Sequence, residues 1–229
     1  MTVRASGFGP VAEMDRSEAA EKKVASLKKM RKLNFVLLRP FVLLLFVSFV
    51  FAQPGSLVTS TQIDAYAKKV SGYTDHHRKA AIAFANTASY DSSDENWEKM
   101  GSWDDLDKYT ADHDTYGMAL VWKQNGKVTA VNFTYTSPSG DWNDYVDHYF
   151  RPDGSLALVT SEFRTFTNNC VAKQRFYFDR KGKQIKKAVS YSDLYTGRRK
   201  APCLSEDTLK FTYYTTVSKL PFAALLSSN

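Results

Sequence analysis

The sequence predicts an α+β fold: two or three N-terminal helices packed on a six- to seven-stranded antiparallel meander sheet, with one disulfide. Three observations predict it. Helical spacing of apolar residues is confined to the chain before residue 117. Beyond it, tight-turn pairs recur at Asn125 with Gly126, Asp153 with Gly154 and Lys181 with Gly182, and the only two cysteines are Cys170 and Cys203. Helices that precede strands, instead of alternating with them, favour an antiparallel sheet with helices on one face over a parallel α/β arrangement.

A first helix is expected to start near residues 59–61, where threonine and serine hydroxyls can cap it and Ile63, Tyr66, Ala67 and Val70 follow at i, i+3, i+4 and i+7. Gly72 is expected to end it. Thr74 then caps a second helix over residues 76–88, with Ala81, Phe84, Ala85 and Ala88 on one side. Residues 90–116 are acidic, and Trp97, Met100, Trp103 and Leu106, spaced by three, place a short helix within them. Strands are expected at 118–123 and 127–136 around Asn125 and Gly126, the strongest short-range hairpin signal. Further pairs follow at 145–150 with 155–167 and at 171–178 with 184–191. A seventh strand is expected at 209–214, followed by an apolar tail at 221–226. The last two hairpins share a loose aromatic-turn-glycine pattern, Tyr149, Phe150, Gly154 and Tyr177, Phe178, Gly182, which reads as two similar hairpins and not as a solenoid repeat.

Ahead of this domain, Arg31, Lys32 and Arg39 precede an apolar run from 41 to 51 that ends in Val50, Phe51 and Ala52. Positive charge, apolar run and small side chains in that order read as a secretory signal peptide over residues 30–52, cleaved after Ala52. The alternative is an uncleaved anchor, but the unbroken run from Phe41 to Ala52, 12 residues counting Ser48, falls short of the roughly 20 a spanning helix needs. Either way residues 53–229 are expected outside the cytoplasm, secreted or periplasmic, as a single domain whose only membrane attachment would be the leader. Residues 1–29 form a polar extension, and Met30 or Met14 would serve as an alternative start.

The chain carries a formal charge of +7, which by itself suggests an anionic partner. Residues 1–52 hold nine of the 31 Lys and Arg and four of the 24 Asp and Glu, so the exported part has 22 against 20, or +2. The electrostatic case for nucleic acid falls away, and no nucleic-acid partner is expected. In an oxidising compartment two cysteines most simply pair, so Cys170 and Cys203 are assigned to one disulfide.

No catalytic, cofactor-binding or metal-binding residue stands out. His76, His77 and His113 each have acidic neighbours, but His76 and His77 are adjacent and diverge on a helix, unlike the i, i+4 spacing of zinc helices. The acidic run 91–95 lacks the glycine and the terminal glutamate of an EF-hand loop. His148 lies near Asp144 and Asp147, and Glu162 and Asp179 lie on or beside strands, but no spacing selects a carboxylate pair. Trp142, Tyr145 and Tyr149 are the aromatics most suited to stacking on a sugar or apolar ligand. The resulting expectation is a non-catalytic exported binding or interaction domain, without cofactor, facing a cell-envelope polysaccharide, lipid or protein. The alternative is a small envelope hydrolase using carboxylates in a cleft between helices and sheet. Convergent carboxylates with perturbed pKa values would favour the hydrolase, and an apolar pocket the binding domain.

Overall fold

A computed structural model describes residues 59–227, which belong to one compact unit, Ser56–Asn229. The leader, its cleavage position after Ala52 and the extension at 1–29 lie outside the described residues. No helix among the described residues is long and apolar enough to cross a membrane.

Helix α1 spans Ser60–His76, helix α2 spans Trp103–Asp112, and eight strands make one antiparallel sheet. They are β1 (Ile82–Asn86), β2 (Trp97–Lys99), β3 (Gly117–Gln124), β4 (Lys127–Thr136), β5 (Trp142–Phe150), β6 (Leu156–Thr165), β7 (Cys170–Phe178) and β8 (Gln184–Asp193). The spatial order is β2-β1-β3-β4-β5-β6-β7-β8, a meander from β3 to β8, with β1 between β2 and β3 so that the segment carrying α2 passes over β1. The three expected hairpins form around Gly126, Gly154 and Gly182, each at positive φ, where a β-carbon would be strained. Each outgoing strand carries a bulge three residues past its glycine, at Thr129, Ala157 and Ile185. The three glycines recur at a 28-residue interval, so the likeness read between the last two hairpins extends to all three.

Three expectations need correction. Helix α1 runs through Gly72 to His76, because a glycine costs only about 1 kcal/mol in a helix anchored by Ile63, Ala67 and Val70. Residues 82–86, expected within a second helix, are strand β1. It is buried on both faces, and an apolar run of that kind has no periodicity to separate strand from helix. With β2 it raises the strand number to eight. Residues 209–214 are not a strand: they run as an irregular strap across the face of the sheet opposite the helices. The alternation of Leu209, Phe211 and Tyr213 is real, but it answers to an apolar surface beneath the strap and not to a neighbouring ladder.

The sheet is thus covered on both faces. On one, Ile63, Ala67 and Val70 of α1 and Leu106 of α2 meet small residues, Ala83, Ala85, Ala130 and Ala157, which let the helices approach closely. Thr59 caps α1 in a reciprocal pairing with Gln62, and Ser102 caps α2. On the other face the strap and tail, residues 209–226, cover Phe84, Val131, Phe133, Val146, Phe150 and Phe178. The strap's backbone needs partners that a ladder would normally supply. Gln174 Nε2 donates to the Leu209 carbonyl at 2.7 Å, Leu156 N–H to the Thr215 carbonyl at 2.9 Å, and the Tyr214 N–H to His148 Nε2 at 3.2 Å.

Cys170, the first residue of β7, is bonded to Cys203 at a sequence separation of 33. It ties the loop that leads into the strap to the sheet beneath it. Closing a loop of that length stabilises by about 3–4 kcal/mol through the unfolded chain. Replacing both cysteines by alanine is expected to lower the unfolding free energy by that amount, read from denaturant curves, with the circular-dichroism spectrum of the folded protein unchanged. Equal stability of oxidised and reduced protein would contradict it.

Candidate functional site

Register across the hairpins sets the site. On the helix-facing side of the sheet, one cross-strand row reads Ala130, Tyr149, Leu158 and Tyr177, an apolar floor on which α1 sits. The next row reads Asn132, Asp147, Thr160 and Arg175, and the one beyond it Thr134, Tyr145, Glu162 and Lys173. These polar rows lie beside α1. Between them and the helix is a cleft of about 510 Å³, with Asp64, Lys68 and Ser71 on the helix side and Asp147, Tyr149, Thr160, Glu162, Lys173 and Arg175 on the sheet side. A smaller cavity of about 300 Å³ adjoins it, sharing Ser71, Asp147 and Tyr149 and reaching Asp75, Arg78 and Asn132. A further cavity, about 660 Å³, lies at the hairpin turns near the end of the tail. Its Lys123 is engaged by the Leu226 carbonyl, and no buried polar side chain points a ligand into it.

The charges in the cleft are held in place. Glu162 accepts from Arg164 at one oxygen and from Lys173 at the other, the latter at 2.7 Å. Burial pushes this carboxyl up, but the hydrogen bonds and charges of Lys173 and Arg164 outweigh it and leave the group below the usual glutamate range. Asp64 accepts from Arg175 and, at 2.9 Å, from the Tyr177 hydroxyl. Asp147 differs. Burial raises its pKa, hydrogen bonds from Asn132 (2.8 Å) and Thr160 (3.5 Å) oppose the rise, and the charges of Glu162 and Asp75 add to it. The cleft therefore contains one carboxylate held ionised and one whose charged form is disfavoured.

Of the aromatics singled out in the sequence, Tyr145 and Tyr149 lie on this face and Trp142 does not. Tyr149 stands at the edge of α1, with its hydroxyl bonded to Ser71 and its pKa raised by burial. Tyr145 carries the Arg164 guanidinium 5.2 Å from its ring centroid. Trp142 points to the opposite face and stacks on Phe163, centroids 5.5 Å apart.

The remaining titratable candidates have local roles. Nδ1 of His76, His77 and His113 donates to the carbonyl four residues back, Gly72, Tyr73 and Tyr109, and among the described residues no group of three or more His, Cys, Asp or Glu converges as a metal would require. Asp179 accepts the Lys181 and Lys183 N–H groups and so shapes its hairpin turn. His148 and Asp144 face the strap, on the other side of the sheet from Asp147. Asp147 was visible in the sequence only as a neighbour of His148; counting outward from the turn glycines would have placed it opposite Asn132 and Thr160. Comparison with protein-family models, with curated proteins and with solved structures finds no match to this chain.

Proposed function

We propose that residues 53–229 act outside the cytoplasm, secreted or periplasmic, as a non-catalytic binding domain whose cleft beside α1 takes a hydroxyl-rich ligand, a segment of cell-envelope polysaccharide. The observation that carries this reading is the pair of polar rows left open on the sheet. Amide, hydroxyl and carboxylate groups of Asn132, Thr160 and Asp147 lie in register beside the rings of Tyr149 and Tyr145. Donors, acceptors and aromatic faces at strand spacing suit a ligand that offers hydroxyls on one side and C–H surface on the other. The hydrolase is the second reading, favoured by the opposite shifts of Asp147 and Glu162 in one cleft. It is the weaker reading because both oxygens of Glu162 are occupied by cations, leaving it poorly placed as base or nucleophile.

Titration calorimetry with neutral and acidic oligosaccharides, with reducing-end release followed in parallel, separates the two. Binding without cleavage is expected. Asp147→Asn should weaken binding by about 10- to 100-fold, the worth of a charged hydrogen-bond acceptor. Release of reducing ends by the wild type, abolished by Asp147→Asn, would establish the hydrolase instead.

A further inference from the structure

Taking the cleft as the binding site, we infer that its ligand is an acidic sugar, whose carboxylate is met at the cleft's mouth by Lys68 and Lys173 while its hydroxyls meet the polar rows below. The inference rests on where charge sits, beyond the reading that a saccharide binds. Four cations serve this face: Lys68, Arg164, Lys173 and Arg175. Asp64 answers Arg175, and Glu162 answers both Arg164 and Lys173, one cation more than its charge. Lys68, exposed on α1, has no ion pair or hydrogen bond among the described residues. Of the remaining acids, Asp147 lies half-buried and held by Asn132, and Asp75 lies in the adjoining cavity with Arg78, so the excess of positive charge stays on the Lys68 side of the cleft.

Depth sharpens the asymmetry. The side chain of Glu162 is 25% exposed, against 55% for Lys173 and 49% for Arg164. Asp64 and Arg175 are equally exposed, so the asymmetry belongs to Glu162: it lies below Lys173 and Arg164, and with exposed Lys68 beside them a ligand arriving there from solvent meets positive potential first. The kind of anion follows from which cations are free. Arg164 already gives Glu162 two nitrogens and Arg175 is committed to Asp64 and Tyr177, so neither of these two guanidinium groups offers the open fork that phosphate favours. What remains are Lys68, which has no partner among the described residues, and Lys173, which shares one carboxylate with Arg164; these point charges beside hydroxyl-binding groups fit a singly charged carboxylate on a hydroxylated ring.

The test is calorimetry of the exported chain with trigalacturonate, with the matching neutral trisaccharide, with inorganic phosphate and with phosphatidylglycerol vesicles. Trigalacturonate is expected to bind about tenfold tighter than the neutral sugar at about 50 mM salt, with most of the difference lost at about 300 mM. Lys68→Gln and Lys173→Gln should each reduce that preference several-fold, and Lys68→Arg, which keeps the charge, should retain it. Equal affinity for the acidic and neutral sugars would overturn the inference while the saccharide reading stands. Binding of neither sugar would overturn both. Phosphate or vesicles binding in place of trigalacturonate would assign the cations to a headgroup and overturn it as well.

Discussion

Alanine at Phe222 is expected to remove about 3–5 kcal/mol of folding stability, read as a fall in the urea midpoint at unchanged slope. Phe222 is 1% exposed and lies near the end of the chain, where loss of a side chain is often harmless. Its partners make this position different. Its ring stacks on Phe84 at 4.2 Å, meets Trp97 edge-on at 5.3 Å and lies 5.6 Å from Phe133. Those three come from β1, β2 and β4, so one residue of the tail closes the apolar face of the weaker edge of the sheet. Strand β2 has only three residues, and packing of Trp97 under Phe222 gives it a reason to form. The cavity left by Phe222→Ala would open at the tail, whose backbone is held here mainly by short 3₁₀ turns. Tyr195→Ala, at a side chain 72% exposed, should change stability by less than about 0.5 kcal/mol and serves as the control. If both substitutions cost the same, the tail does not close the core.

This dependence explains why the strap and the first two strands were the parts of the fold least legible in the sequence. Hairpins announce themselves locally. Asn125 and Gly126 both adopt positive φ, and Gly154 and Gly182 each take the left-handed position of a three-residue loop, so turn chemistry alone placed six strands. The stripe of Ile63, Ala67 and Val70 likewise belongs to one helix and needs no partner to be read. The strap has no such local signature. Leu209, Phe211 and Tyr213 alternate as a strand would, and only the distant rings of Phe176 and Phe178 decide that they lie across the sheet. Residues 82–86 are ambiguous for the same reason: Ala83 and Ala85 suit a helix by propensity, and it is the pairing with β2 and β3 that makes them a strand.

The site divides in the same way. Tyr145, Tyr149 and Glu162 could be named from the sequence because each sits on a strand that its turn defines. Their association with Asp147, Asn132 and Lys173 is a matter of register, which moves an entire strand from one face to the other when shifted by one residue. Trp142 shows the consequence. It is three residues from Tyr145 and therefore on the opposite face, so the three aromatics that cluster in sequence do not form one surface.

Replacing His148 by leucine is expected to make the protein less sensitive to acid, with the stability of the variant gaining about 3 kcal/mol on the wild type between pH 7 and pH 4. His148 has no exposed surface and lies among the rings of Phe133, Phe150 and Tyr214. Its Nε2 accepts the Tyr214 N–H of the strap, so the proton must reside on Nδ1, which is buried with only the Val146 backbone beside it. A second proton would turn Nε2 into a donor facing a donor. Burial accordingly lowers the pKa from 6.5 to about 3. Between these values the unfolded chain binds a proton that the folded chain does not. The contribution of His148 is fully present above about pH 6.5 and is lost as pH falls towards 3, at about 1.4 kcal/mol per unit. Asp144, on the same face, works in the opposite sense. Burial pushes its carboxyl up to about 6 despite a hydrogen bond from Ser161, so the folded state takes up a proton first and gains stability as pH falls from about 6 towards 3.8. The two effects mask each other in the wild type, which is why the difference between wild type and His148→Leu is the quantity to measure, since Asp144 is common to both. At pH 7 the variant should be the less stable by about 1–3 kcal/mol, because the Tyr214 N–H loses its acceptor in a buried place. The two stability curves, from urea unfolding at each pH, should then converge and cross in acid. Parallel curves would mean that His148 titrates alike in the folded and unfolded chain, and that the strap is not locked by a neutral imidazole.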